Sequence, residues 1–388
     1  MEVPLITTDE LGIFRTQPLP QPGESRSEGG RGSQIGGPTL EGSLRFNVLL
    51  GPGNPVVVDP KLNYTGGSRL WIRINDGWHG FFSQMTVVLN SLSYAEKNKF
   101  IPYVFIGKDT MRHGRNRYFD HSVGPNIWEY FFLPVSPTLP PISPSERERD
   151  KFFSWHEERN IHNAPEAIKA YYYGHSFDDQ SNRDRFKQNK YDEGFYWHHR
   201  SRASHLISKY FRFRKEVWGE ANLYFNEHFK GYKVLGVHMR GTDKIERAGG
   251  GRIIPAREYA EYANAYLTRY KGSRVFVATE SKSLLAEFKG LVSDPGRVRS
   301  RMVLRSNSTF KRKGQTLEQN IFLDLKTGSG YRKGLDVVLD VILLSRCDYL
   351  VHGASAVSEG AIWFDIRLHN RSVHIQYERS TRQCPPWF

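Results

Sequence analysis

From Lys233 onward the sequence alternates short apolar runs with longer amphipathic stretches, and a chain patterned this way is confined to a parallel sheet with helices packed on it. Lys233–Met239, Arg274–Thr279, Met302–Leu304, Tyr349–Val351 and Val373–Tyr377 read as strands. Ala256–Lys271, Ser281–Gly290, Gly334–Arg346 and Ser355–Phe364 read as the helices between them. Pro255 sits where a helix can start, since its missing N–H costs nothing there. Ser281 caps the next helix and Gly290 stops it. Tyr259, Tyr262, Ala265, Tyr266 and Tyr270 recur at helical spacing as one buried face.

The same pattern occurs once earlier. Arg69–Ile74 reads as a strand, Asn75–Gly80 as a turn, Phe82–Lys99 as a helix and Ile101–Ile106 as a strand, which makes one βαβ unit. Residues 110–200 are densely charged and aromatic, and predict long inserted loops and short helices; 202–230 predicts helices. Residues 1–43 are rich in Pro, Gly, Ser and Gln, the composition of a disordered tail. The expectation is an α/β protein with two Rossmann-like domains facing a cleft. A loosely packed tail spans 1–66, one domain 67–230 and the second 231–388.

The net charge is +14, but residues 1–43 carry −3, so the remainder carries +17. A basic body implies an anionic partner, whether nucleic acid, a phosphate-bearing small molecule or an acidic glycan. Two cysteines, Cys347 and Cys384, are too few for a disulfide framework or a zinc site, and Cys347 reads as a small core residue. No apolar run approaches the ~20 residues of a membrane span.

Chemistry concentrates where the apolar run Val234–Val237 turns polar, with His238, Arg240, Asp243, Lys244 and Glu246 close together. Ligands of open α/β sheets bind just beyond the carboxyl ends of strands. Arg240 offers a fixed cation with a planar fork for phosphate oxygens. Asp243 or Glu246 could take a proton from an attacking hydroxyl; a solvated loop of mutually paired charges is the alternative. His79 and Gly80 end the turn at the mouth of the first βα unit, where a helix N-terminus favours an anion, or where a simple tight turn suffices. No G-x-G-x-x-G fingerprint is present, which disfavours a dinucleotide. Asp340 is the one carboxylate in the apolar run Val337–Leu344, so it must have a basic partner or be displayed at an opening, where it could accept from guanine. Ser355 starts a helix after a strand, as a phosphate ligand or an ordinary N-cap. Arg297, Arg299 and Arg301, then Arg305 and Lys311–Lys313, read as a solvated basic face able to draw in phosphate or acidic glycan.

At these residues the chain resembles a known family. His238-Met-Arg-Gly-Thr-Asp-Lys244 is similar to the His-x-Arg-x-Thr-Asp-Lys segment of core α1,6-fucosyltransferases, and more distantly to the nodulation and protein O-fucosyltransferases. The likeness continues through Arg274–Thr279 with Glu280, Asp340 with Leu344-Ser345, and Asp348–Val351 into Ser355. It implies a GT-B-like glycosyltransferase, inverting and metal-independent, with GDP-fucose as donor substrate, no cofactor, and a glycan or glycoprotein acceptor. Position by position, it implies that Arg240 holds the β-phosphate, His238 contacts the nucleotide, Asp340 accepts from guanine and Ser355 contacts phosphate. Asp243 and Lys244 lie near the acceptor hydroxyl. The family's second paired arginine is Gly241 here, and its presumed base falls at Ala248, so Glu246 or Asp243 replaces it or the base lies elsewhere. The resemblance implies the Golgi or ER lumen if an anchor or signal was removed, and the cytoplasm if the chain is complete. Transfer of another GDP-sugar, or non-catalytic binding of a polyanion or nucleic acid, are the competing readings; nucleic acid is not the expected partner.

Overall fold

The alternation of strands and helices resolves into two separate parallel sheets. A computed structural model describes residues 6–8, 14–16, 69–74, 80–107, 116–136, 151–152, 155–164, 166–170, 192–241, 254–301, 309–312, 315–318, 328–376 and 385–387. Two units divide the chain, Met1–Val56 and Val57–Phe388. In the first, β1 (Ile6–Thr8) pairs antiparallel with β2 (Phe14–Thr16), where composition predicts a disordered tail.

The second unit opens with β3 (Arg69–Ile72), helix α1 (Phe81–Lys97) and β4 (Ile101–Val104), the expected βαβ unit with strands shorter than predicted. Helix α2 (Trp128–Phe131) follows, then β5 (Lys151–Phe152), which pairs parallel with β3 and gives the order β4-β3-β5. Next come α3 (Trp155–Asn163), α4 (Glu193–Tyr210) and α5 (Lys215–His228). The last two are the helices expected over 202–230, the first of them starting earlier, at Glu193. Between them Phe213 leaves the helix to bridge Phe132, and Phe211 and Phe213 bury their rings against that residue. Burying such rings contributes ~1.5–3 kcal/mol each, enough to break a helix that local preference would continue.

The larger sheet is built from β6 (Val234–His238), α6 (Ala256–Arg269), β7 (Arg274–Ala278), α7 (Lys282–Leu291) and β8 (Val298–Arg299). A hairpin of β9 (Thr309–Arg312) and β10 (Gln315–Glu318), absent from the sequence reading, lies apart from the sheet. The chain then returns through α8 (Gly330–Ser345), β11 (Tyr349–His352), α9 (Ala356–Phe364) and β12 (Ser372–His374). The predicted strand Met302–Leu304 falls outside the described residues. Gly290 lies within α7 rather than ending it.

Strand order is β12-β11-β6-β7-β8, all parallel. From β6 the chain winds outward to β8, then crosses back to lay β11 on the other side of β6. Leu235, Val237, Met239, Val275 and Val277 share one core cluster with Tyr259, Tyr262 and Tyr266 of α6 and with Phe288 of α7. The alternate residue Gly236 faces α8, where a Cβ would stand 3.1 Å from Cys347 Sγ and 3.2 Å from Leu344 Cδ2. Cys347 is a free, buried thiol donating to the carbonyl of Leu343. Among the described residues no helix is long and apolar enough to cross a membrane.

Candidate functional site

β11 returns beside β6, so the strand order reverses between them. Crevices at such a switch point are where open α/β sheets bind ligands. Arg240 lies two residues beyond β6 and Ser355 three residues beyond β11, and the fold brings them together: Arg240 Nη1 is 3.5 Å from Ser355 Oγ. Ser355 is also the N-cap of α9, its Oγ accepting from Val357 N at 3.2 Å. A guanidinium and a helix N-terminus thus meet at one point, both favouring an anion.

His238 ends β6 beneath them and is buried, with Nδ1 lacking a hydrogen-bond partner among the described residues. Burial, and then the charge of Arg240, push its imidazole down to about 3, so it is neutral. The register sets it in a row with His352 and His374. His352 Nδ1 is 3.0 Å from the Gly353 carbonyl, which can only accept, so Nδ1 carries the proton and Nε2 is the lone-pair nitrogen. Among the described residues no group of three His, Cys, Asp or Glu side chains could hold a metal ion.

Gly241, which stands where the resemblance expects a second arginine, is closely packed. A Cβ there would lie 2.8 Å from Leu284 Cδ1 and 3.3 Å from Ser281 Cβ, and its N–H donates to Glu280 Oε1 at 3.3 Å. Glu280 therefore ties the end of β7 to the end of β6. Gly241→Ala should cost about 1–3 kcal/mol of stability through overpacking, read as a lower urea midpoint at unchanged slope.

Asp340 meets the partner that its apolar surroundings demand. Its Oδ1 is 3.8 Å from Arg301 Nη1, with 26% of its side chain exposed. Arg301, just beyond β8, also pairs with Glu220 at 2.9 Å and Asp336 at 3.6 Å. Asp340 is thus paired with the arginine that follows β8, two strands from β6 in the sheet order. Burial raises its carboxyl to about 7, with Arg301 opposing and Asp336 and Glu280 adding to the rise.

Gly80 is the exposed N-cap of α1, with open space around it and an ordinary backbone conformation, so nothing among the described residues requires glycine. The first amide of that helix, on Phe81, is taken by the Tyr118 hydroxyl at 2.9 Å, which removes one donor from any anion. His79, Asp243, Lys244 and Glu246 lie outside the described residues.

Two arginines of the basic run do not face solvent freely. Arg297 donates to the carbonyls of Ser273, Tyr270 and Leu267 and to Ser273 Oγ, clamping the turn between α6 and β7, and Arg301 is buried among acids. The side chains of Arg305 and Lys311–Lys313 lie outside the described residues. Sequence reasoning missed Arg301 as the partner of Asp340. It also missed Arg200, whose fully buried guanidinium forks onto Glu359 of α9 at 2.8 and 2.7 Å. The signal for the second was present: Glu359 is the one acid in the apolar stretch Ala356–Phe364.

No protein-family model and no curated protein sequence matches the chain. Among solved structures it is similar to the fucosyltransferase NodZ from Bradyrhizobium, at 19% identity over 79% of this chain and 95% of that one, with a TM-score of 0.44. It is also similar to a variant of Arabidopsis thaliana FUT1 in complex with GDP, at 12% identity over 88% and 79% of the two chains, TM-score 0.42. For POFUT1 in complex with GDP-fucose the identity is 10%, the coverage 77% and 94%, and the TM-score 0.38. At such identities no single residue can be matched, and the site stands on its own geometry: an arginine and a capped helix N-terminus meeting at the switch point of a doubly wound sheet.

Proposed function

We propose that the chain is an inverting glycosyltransferase that moves fucose from GDP-fucose to a hydroxyl of a glycan or glycoprotein. The observation that carries this reading is the meeting of Arg240 and Ser355 at the N-terminus of α9, where the strand order reverses between β6 and β11. The motif resemblance around His238–Lys244 supports the choice of donor. Arg240 and the first amides of α9 take the charge that develops on the departing GDP. That is preorganised stabilisation of a leaving group, and the proposed reaction needs no metal or cofactor for it. Buried, neutral His238 offers an uncharged contact to the nucleotide. Asp243 or Glu246, a few residues after β6 in the sequence, accepts the proton of the acceptor hydroxyl as it attacks the anomeric carbon, and Lys244 is assigned to the acceptor hydroxyl with it.

Asp340 is proposed to accept from the ring N–H and amino group of guanine, since one loose pair with Arg301 leaves a carboxylate most of its lone pairs. Two donors need the ionised form. GDP affinity is then full above about 7 and falls as pH drops through that value. Asp340→Asn should flatten this pH dependence, measured by calorimetric titration on either side of neutrality.

A screen of sugar-nucleotide hydrolysis tests the donor. Consumption of GDP-fucose alone is the expected result; consumption of GDP-mannose instead would reassign the sugar, and no consumption of any donor would remove the catalytic reading. The polyanion alternative loses support from the internal use of Arg297 and Arg301.

A further inference from the structure

We propose that Arg200 and Glu359 are positioning residues for the donor site, holding the N-terminus of α9 against Arg240; this rests on the sugar-nucleotide reading above. Glu359 lies one turn past Ser355, and its backbone N–H donates to the Ser355 carbonyl at 3.0 Å, closing the first turn of the helix. Its carboxylate does not serve that turn. Instead Oε2 accepts from Arg200 Nε at 2.8 Å and Oε1 from Nη2 at 2.7 Å. The third guanidinium nitrogen, Nη1, is 3.0 Å from His369 Nδ1, and the Tyr196 ring lies 4.6 Å below the guanidinium carbon. Arg200 belongs to α4, in the half of the chain that precedes β6, so the helix carrying Ser355 is oriented from outside its own sheet.

Stability does not account for the pair. A buried ion pair is commonly no more stabilising than apolar side chains of similar volume, because desolvation offsets the attraction. What two parallel N–H···O bonds supply is a fixed distance and a fixed orientation. The next residue shows how closely α9 is seated: a Cβ on Gly360 would lie 2.5 Å from Phe82 Cδ1 of α1. Carboxylate and glycine together leave the helix one position along its axis and one rotation about it. Sites of this kind work within ~0.5 Å of the productive arrangement, so a slip of the helix moves Ser355 and the amides away from the diphosphate.

The test is calorimetric titration of GDP into the full chain, as wild type and as R200M/E359M, with thermal unfolding of each. The double variant should unfold within a few degrees of wild type yet bind GDP at least ~10-fold more weakly. In turnover assays its donor KM should rise while its acceptor KM holds, a split that a merely structural pair would not produce. A folded double variant with wild-type GDP affinity overturns the positioning role and leaves the donor reading standing. A wild-type chain that does not bind GDP overturns the donor reading, and this proposal with it. If R200M/E359M does not fold, Arg200→Lys, which keeps the charge and loses the fork, takes its place: weaker GDP binding is expected, and unchanged binding overturns the proposal.

Discussion

Arg240→Ala should lower turnover of GDP-fucose at least ~100-fold, the scale on which loss of one charge-stabilising donor is felt. The guanidinium stands just beyond the carboxyl end of β6, 3.5 Å from the hydroxyl that caps α9. It is only half buried, so its removal leaves no deep cavity and the fold survives to be assayed. Arg240→Lys should recover part of the loss, because an ammonium restores the charge but not the planar fork. Steady-state turnover with GDP affinity measured alongside separates chemistry from binding. Turnover near wild type in the alanine variant would dispose of the proposed role.

The largest effect on stability is expected at Glu359. Glu359→Met should destabilise the protein by about 3–5 kcal/mol, the cost of leaving one member of a buried pair unmatched. The carboxylate is the partner whose loss cannot be relieved, since an arginine side chain does not give up its proton. Nor can His369 stand in for it. Burial, and then Arg200 itself, hold that imidazole down to about 4, so it is neutral and compensates no charge. Adding Arg200→Met should recover most of the lost stability, giving a coupling far above that of independent sites. Urea unfolding of the two single variants and the double reads this directly; equal midpoints for Glu359→Met and wild type would show the pair to be dispensable.

These two expectations differ in how far the sequence foretold them. Arg240 and Ser355 each follow an apolar strand, and a strand's end is visible in one dimension, so both residues could be assigned to the carboxyl edge of a sheet from local pattern alone. Their adjacency follows from the strand order, which pattern does not encode; it requires β11 to pair with β6 after more than a hundred residues. Arg200 and Glu359 are 159 residues apart, and only the need to match a buried carboxylate hinted at such a partner. Asp340 raised the same question, and its answer, Arg301, was hidden in a run of arginines that composition alone assigns to solvent. Strand β5 has two residues, too few for any alternation to register. The place of the break between α4 and α5 was invisible because the rings of Phe211 and Phe213 fit a helical stripe as readily as the bridge they make.

The thiol of Cys347 has a practical consequence. Wedged against Gly236 and bonded to the Leu343 carbonyl, it is pushed well above the ordinary thiol range by burial and then by Asp348. Only the thiolate reacts with alkylating reagents, so in the closed protein this sulfur is inert and its labelling waits on excursions that open the sheet. With Cys384 changed to serine, the labelling rate becomes a clock for those excursions. A nucleotide that binds the native state slows the clock by 1 + [L]/Kd, so affinity can be timed without following any reaction.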